Sequence, residues 1–253
     1  PSTQTTFFNF LASHDGIGIN PARGILPDAD IDAVIQRVTE HGGLVSYKND
    51  ISGTQIPYEL NINYFDALSN PHSEEPLSTQ VDRFMSAQAI MLALVGVPGI
   101  YFHSLFGSRS WRPGVELTGR NRTINRQKFE RAAFEQELRD ESSLRHQVFQ
   151  RYAQLLRARR ASSAFHPHGN QELLKYGEAI FALLRFSPDG SEHVLCLHNI
   201  SDQTQRVRIE AKEIFGLFAG RLVDLITDQR KDDLVNDTLA LQPYQTLWLR
   251  IKE

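Results

Sequence analysis

One cysteine in 253 residues, Cys196 in the alternating run HVLCLHN, excludes an internal disulfide and suits a reducing cytoplasm. No apolar run approaches the roughly 20 residues that a bilayer-spanning helix needs. The polar start PSTQTT has neither the basic region nor the apolar stretch of a secretory signal. A net charge of −3 gives no electrostatic reason to expect a nucleic acid or an anionic membrane as partner. Phosphate-cradling loops are missing too: Gly16-x-Gly18 has no third glycine and no helix behind it, and there is no Walker loop. No Cys or His cluster has metal-ligand spacing, and no nucleophile elbow supports a serine triad. No cofactor is expected.

What is present has an ordinary globular balance, 41% hydrophobic and 23% charged, in a length that suits one large domain or two smaller ones. Residues 6–12 read as a short apolar strand. In DADIDAVIQRVTEHGG, residues Ile31, Val34, Ile35 and Val38 recur at helical spacing, with Asp28 or Asp30 as N-cap and Gly42 or Gly43 just past the end. LSTQVDRFMSAQAIMLALVG predicts a second helix, with Thr79 and Asp82 as a capping box and Val81, Phe84, Met85, Met91, Leu92 and Val95 along one stripe. Pro98-Gly99 ends it, and VPGIYFHSLFG continues as a second short buried strand. Residues 125 to 160 read as helical and end in a solvated RARR. Beyond Ala161 the pattern becomes short alternating strands separated by turn signals such as Pro188-Asp189-Gly190. The expected class is α/β: strands with helical crossovers over 1–160, then a small antiparallel β-domain over 161–253.

In parallel β/α folds, ligands bind at the carboxyl ends of strands, where His14-Asp15 and His103-Ser104 fall. A carboxylate there can stabilise developing positive charge or hold sugar hydroxyls, and an adjacent imidazole can donate to a hydroxyl. Asp15-Gly16 is equally a common turn dipeptide. IPYELNINYFDALSN offers Tyr58, Tyr64 and Phe65 as an aromatic platform beside Glu59, Asn61 and Asn63, or else a buried segment. GRNRTINRQKF puts Arg120, Arg122 and Arg126 in one loop, suited to phosphate or carboxylate, or else solvated.

FFNFLASHDGIGINPARGILP, YELNINYFDAL, GVPGIYFHSLFG and NRTINRQ, in this order, resemble the later part of α-amylase superfamily enzymes. Within it they resemble the sucrose phosphorylase branch, which includes glucosylglycerate phosphorylases. The resemblance implies the C-terminal part of a (β/α)8 TIM barrel followed by a small antiparallel β-domain. Phe7–Ala12 would be the seventh barrel strand and Ile100–His103 the eighth. It also implies cleavage of an α-glucosidic bond with retention, in which a carboxylate attacks the anomeric carbon and a glutamic acid protonates the leaving group. Phosphate, a co-substrate, then intercepts the glucosyl-enzyme. A third carboxylate grips the ring hydroxyls, tightening as the ring becomes oxocarbenium-like. By resemblance this third role falls on Asp15, with His14 beside it as a hydroxyl ligand. Tyr58 and Glu59 match the acceptor-side loop, where sucrose phosphorylases commonly carry glutamine in place of this glutamate. Arg122 matches an arginine that contacts phosphate or the acceptor. Asn125 and Arg126 complete the INR signature as loop anchors.

In the family the nucleophile and the acid/base residue both precede the HDG strand, whereas here only residues 1–13 precede His14. The resemblance therefore implies that neither is in this chain. Two strands of an eight-stranded barrel cannot close, so the expectation is a piece that pairs with its missing N-terminal half or forms a homo-oligomer. Three readings stand: part of a glucosyl phosphorylase, a non-catalytic sugar-binding or scaffold fragment, and a hydrolase with water as acceptor.

Overall fold

A computed structural model describes residues 4–209, 221–231 and 238–252. The elements begin with β1 (Phe8–Asn9), β2 (Ile17–Gly18), α1 (Asp28–Glu40), β3 (Leu44–Asn49) and β4 (Gln55–Asn61). Next come α2 (Tyr64–Leu68), α3 (Leu77–Ala93), β5 (Val97–Pro98), α4 (Phe102–Leu105) and α5 (Arg112–Thr118). Helices α6 (Arg131–Arg139) and α7 (Leu144–Ala161) precede the strands β6 (Asn170–Lys175), β7 (Ile180–Phe186) and β8 (His193–Asn199). The chain ends with β9 (Gln205–Arg208), β10 (Arg221–Asp224), β11 (Gln229–Arg230), β12 (Thr238–Leu241) and β13 (Thr246–Lys252). The strands expected in QRVRIEA and QTLWLRIKE are β9 and β13; residues 210, 211 and 253 lie outside the described residues. No helix among the described residues is long and apolar enough to cross a membrane.

The chain divides into two units, one of Pro1–Asn9, Asp82–Gly99 and Gln150–Glu253, the other of Phe10–Val81 and Ile100–Phe149.

In the first unit, six strands form a sheet in the order β11-β10-β13-β8-β7-β6, antiparallel throughout, and β9 pairs with β12. Period-2 alternation sends Leu195 and Leu197 of β8, with Leu247 and Leu249 of β13, into one apolar cluster. Val207 and Leu239, opposite each other on β9 and β12, join that cluster. Cys196 and Trp248 are paired on neighbouring strands and fully buried.

Strands β1 and β5 pair in parallel, Phe8 with Val97 and Asn9 with Pro98. The second strand thus lies three residues before the expected Ile100–His103, and His103 belongs to α4 instead. The apolar run around β1 is not buried as its composition suggests: Phe7, Phe8 and Phe10 are 52%, 67% and 56% exposed. Among the described residues β1 has only β5 beside it.

The RARR at the end of α7 is not simply solvated. Arg159 donates to the carbonyls of Leu92 and Gly96 (the latter at 2.8 Å), at the C-terminal end of α3. The fully buried Arg185 on β7 donates to Ala93 O at 2.7 Å, His166 O at 3.0 Å and Asn170 O at 3.2 Å. Cations suit helix C-terminal carbonyls. Phe165 lies within 5.6 and 5.7 Å of the two guanidinium carbons. Burial pushes the pKa of Arg159 down and that of Arg185 to about 10.

The second unit holds the antiparallel sheet β2-β4-β3. Ile31 and Val38 of α1 pack with Ile19, Leu60 and Ile62, whereas Val34 is 42% exposed, so the buried stripe is narrower than its sequence spacing suggests. The N-cap of α1 is Pro27; Asp28 and Asp30 sit in its first turn, where carboxylates face the positive end of the helix. Gly42, at φ +80°, follows the C-cap His41 as expected. Helix α3 starts at Leu77, so Thr79 is inside its first turn and is not the N-cap.

Candidate active site

Gly16 sets the geometry. Ser13 and Gly16 exchange backbone hydrogen bonds of 3.0 and 3.1 Å, closing a tight turn with Asp15 near its tip. Gly16 has φ +123°, and a Cβ there would lie 2.1 Å from the carbonyl oxygen of Leu60. Only glycine allows the turn to lie directly on β4. The Asp15 side chain is 25% exposed and that of His14 62%.

On β4, Glu59 and Asn61 are two residues apart and share a face. Fully buried Asn61 is a hub: its Nδ2 donates to Asp15 O at 2.9 Å and to Glu59 Oε1 at 2.6 Å. Its Oδ1 accepts from Ser46 Oγ on β3 at 2.6 Å.

A 3-10 turn over Asn121–Asn125 delivers the arginines. Arg122 meets Glu59 edge to edge, Nε to Oε1 at 3.0 Å and Nη2 to Oε2 at 2.8 Å, while Nη1 lies 3.3 Å from Asp15 Oδ2. Arg126 Nη2 donates to Asp15 Oδ1 at 2.5 Å, and its Nε to His14 O at 3.2 Å. His14 Nε2 lies 3.3 Å from the same Oδ1. The hydrogen bonds to Glu59 raise the pKa of Arg122, with Asp15 and nearby Tyr58 adding to the effect. Tyr101 Oη donates to Asn125 O at 2.5 Å, and burial raises the pKa of this phenol. The Asn125 amide, 2% exposed, has no partner on either end among the described residues.

His14, Asp15, Tyr58, Glu59, Arg122 and Arg126 thus come together. Arg126 touches the Asp15 carboxylate itself instead of only anchoring its loop. Arg120 is exposed and outside the network. Of the two readings of IPYELNINYFDALSN, the buried segment holds for Phe65 and no aromatic platform forms. Phe65 is fully buried beneath Arg109, whose guanidinium carbon lies 5.0 Å from its ring centroid. Burial pushes the Tyr64 phenol up to about 12. His103 is buried as well, its Nδ1 2.8 Å from Ser108 Oγ, and burial with nearby Arg145 pushes its pKa down to about 4. Sequence reasoning missed Ser46 and Tyr101 and the hub role of Asn61; alternation in LVSYKN and QIPYELN was the available signal for the β3–β4 hairpin.

No family model matches the chain. It is 50% identical over 255 residues to glucosylglycerate phosphorylase of Spirochaeta thermophila, covering 97% of this chain and 42% of that protein. Glucosylglycerate phosphorylase of Escherichia coli is 39% identical over 99% of this chain and 42% of its own length. The chain belongs to the glucosylglycerate phosphorylase family. This phosphorylase-family chain spans about 42% of the length of those relatives. Among solved structures, sucrose 6F-phosphate phosphorylase from Thermoanaerobacter thermosaccharolyticum aligns with a TM-score of 0.62 at 21% identity, over 76% of this chain and 36% of that one. An Anoxybacillus α-amylase aligns at 0.51 and 15% identity over 75% of this chain and 35% of its own. The likeness in fold therefore extends to the α-amylases.

Proposed function

We propose that the chain is the C-terminal portion of a cytoplasmic retaining glucosyl phosphorylase that cleaves an α-glucoside, glucosylglycerate or sucrose, with inorganic phosphate to give glucose 1-phosphate. Residues 1–160 supply the last strands and helices of a (β/α)8 barrel, and residues 161–253 the C-terminal β-domain. The parallel pairing of β1 with β5 supports this, because neighbouring barrel strands pair in that way. The remaining strands of the barrel lie outside these residues.

One observation carries the reading: the Asp15 carboxylate, on a glycine-bound turn, is held by two guanidiniums and flanked by an imidazole. The guanidiniums hold the carboxylate in a fixed orientation. A glucose ring whose hydroxyls replace part of these contacts is gripped more tightly as positive charge builds on the ring, so the transition state gains more than the ground state. His14, exposed beside Asp15, donates to a neighbouring hydroxyl. Tyr58, Glu59 and Arg122 form the acceptor and phosphate side, where an incoming phosphate exchanges for Glu59 on the Arg122 fork. Among the described residues the carboxylates of this cluster are Asp15 and Glu59, and both oxygens of Glu59 are engaged by Arg122. By the family resemblance, the nucleophile and the general acid come from elsewhere in the enzyme.

The test is glucose 1-phosphate release by the full-length enzyme, with and without phosphate. Arg122→Ala should raise the KM for phosphate at least tenfold and raise the KM for sugar by less, through the contact withdrawn from Asp15. A change in sugar affinity alone would remove Arg122 from the phosphate side.

A further inference from the structure

A hollow of about 400 Å³, sharing no residue with the Asp15 cluster, lies in the unit that carries the large sheet. Its size is that of small-ligand sites. Helices α3 and α7 form one wall, and the turns after β10 and β12 form the other.

Backbone strain collects at this place. Two non-glycine residues among those described have positive φ, Asp228 at 54° and Tyr244 at 55°. Asp228 follows the lining residue Thr227, and Tyr244 is itself part of the lining. A short acidic residue enters left-handed backbone readily in a hairpin, but a bulky aromatic does not. Such strain persists where the surroundings hold it, commonly at ligand sites. Here the guanidinium carbon of Arg83 lies 4.8 Å from the Tyr244 ring centroid and helps to fix the ring.

The chemistry of the lining narrows the ligand. Asp82 and Arg151 form an ion pair, so the hollow carries no net charge from them. Gln154 Nε2 donates to Ile226 O at 2.8 Å, and Gln245 Oε1 accepts from Gln242 N at 2.8 Å. One end of each amide is thereby fixed, and the other ends, Gln154 Oε1 and Gln245 Nε2, have no partner among the described residues. Met85 and Ala89 supply apolar surface. Oriented amides of both senses, an aromatic wall backed by the Arg83 guanidinium and an apolar floor fit a molecule with many hydroxyls and an apolar C–H face.

We propose that this hollow is a second saccharide site, which takes a neutral glucose unit between the Tyr244 ring and the amides of Gln154 and Gln245. It is independent of the phosphorolysis reading.

The experiment uses the full-length enzyme carrying Asp15→Asn, with methyl α-D-glucopyranoside as probe at up to about 10 mM. Backbone hydrogen exchange is followed at residues 226–227 and 242–246. Saturable protection of both segments is expected, weakened at least tenfold in apparent affinity by Gln154→Ala and by Tyr244→Gly. Tyr244→Gly should melt no lower than its parent, because glycine relieves the positive φ. If it melts lower, Gln154→Ala, which leaves that backbone in place, decides. Absence of protection at these segments, or protection unchanged by Gln154→Ala, overturns the proposal. Glucose 1-phosphate release by the unmodified enzyme is unaffected by either outcome, so the two readings fail separately.

Discussion

Arg122 and Glu59 present parallel edges to each other, with nitrogen–oxygen distances of 3.0 and 2.8 Å. The guanidinium also reaches Asp15. Two acids and two guanidiniums therefore balance in the cluster.

Glu59→Gln shifts that balance by +1 and frees the Arg122 fork for an anion. At about 5 Å, after screening at a half-exposed site, one charge is worth about 1–2 kcal/mol. The full-length enzyme should show a KM for phosphate lowered about tenfold, with a steeper dependence on salt. An unchanged KM would mean that phosphate does not meet Arg122.

Asn61→Ala should damage both stability and catalysis. It removes a fully buried amide that ties Asp15, Glu59 and Ser46 together. Leaving their buried polar atoms unpaired costs about 1–3 kcal/mol. Thermal melts should report that loss, and kcat/KM should fall further than unfolding accounts for. Ser46→Ala, which removes one outer bond, should do less. A variant as active and stable as its parent would contradict the hub role.

Two histidines set an acid limit on stability. Burial holds His103 at about 4 and His198 at about 3, against 6.5 in an open chain. Between pH 6.5 and about 4 the unfolded chain therefore binds more protons than the fold, and stability falls as pH falls. At 1.36 kcal/mol for each unit, the loss is on the order of a few kcal/mol. Asp189, held at about 2 by the hydroxyls of Ser187 and Ser191, is lost only below its ordinary 3.8, which separates the two windows. The melting midpoint should be flat above pH 7 and fall steadily from 6.5 to 4, with a shallower slope in His198→Leu. A flat midpoint through that range would show that these rings are solvated.

Arg185→Met should destabilise by about 3 kcal/mol, because three carbonyls lose a shared buried donor. Arg185→Lys should recover only part of this, since an ammonium cannot fork among them. Full recovery by lysine would show that charge alone matters. Chemical denaturation measures both variants.

The sequence made α1, α3, α7 and most strands of the large sheet legible, because their periods follow directly from burial on one face. The Asp15 turn was legible through Gly16. Short elements were harder: VPGIYF has no charged residue and no periodicity, and such a run does not distinguish a strand from the β5–α4 pair that it enters. The β3–β4 hairpin was hidden because the register shifts between Ser46 and Tyr47 and Pro57 interrupts the strand signal. Arg159 read as a solvated cation because the carbonyls it caps lie more than sixty residues earlier. Phe65 suited a platform in composition, and only packing puts it beneath Arg109.

The most direct measurement is the rate of glucose 1-phosphate formation from glucosylglycerate and phosphate by the full-length enzyme and by its Asp15→Asn form. The account predicts a fall of about a thousandfold in kcat, with a melting temperature close to that of the parent. Turnover within a few-fold of the parent, in a folded variant, would contradict it.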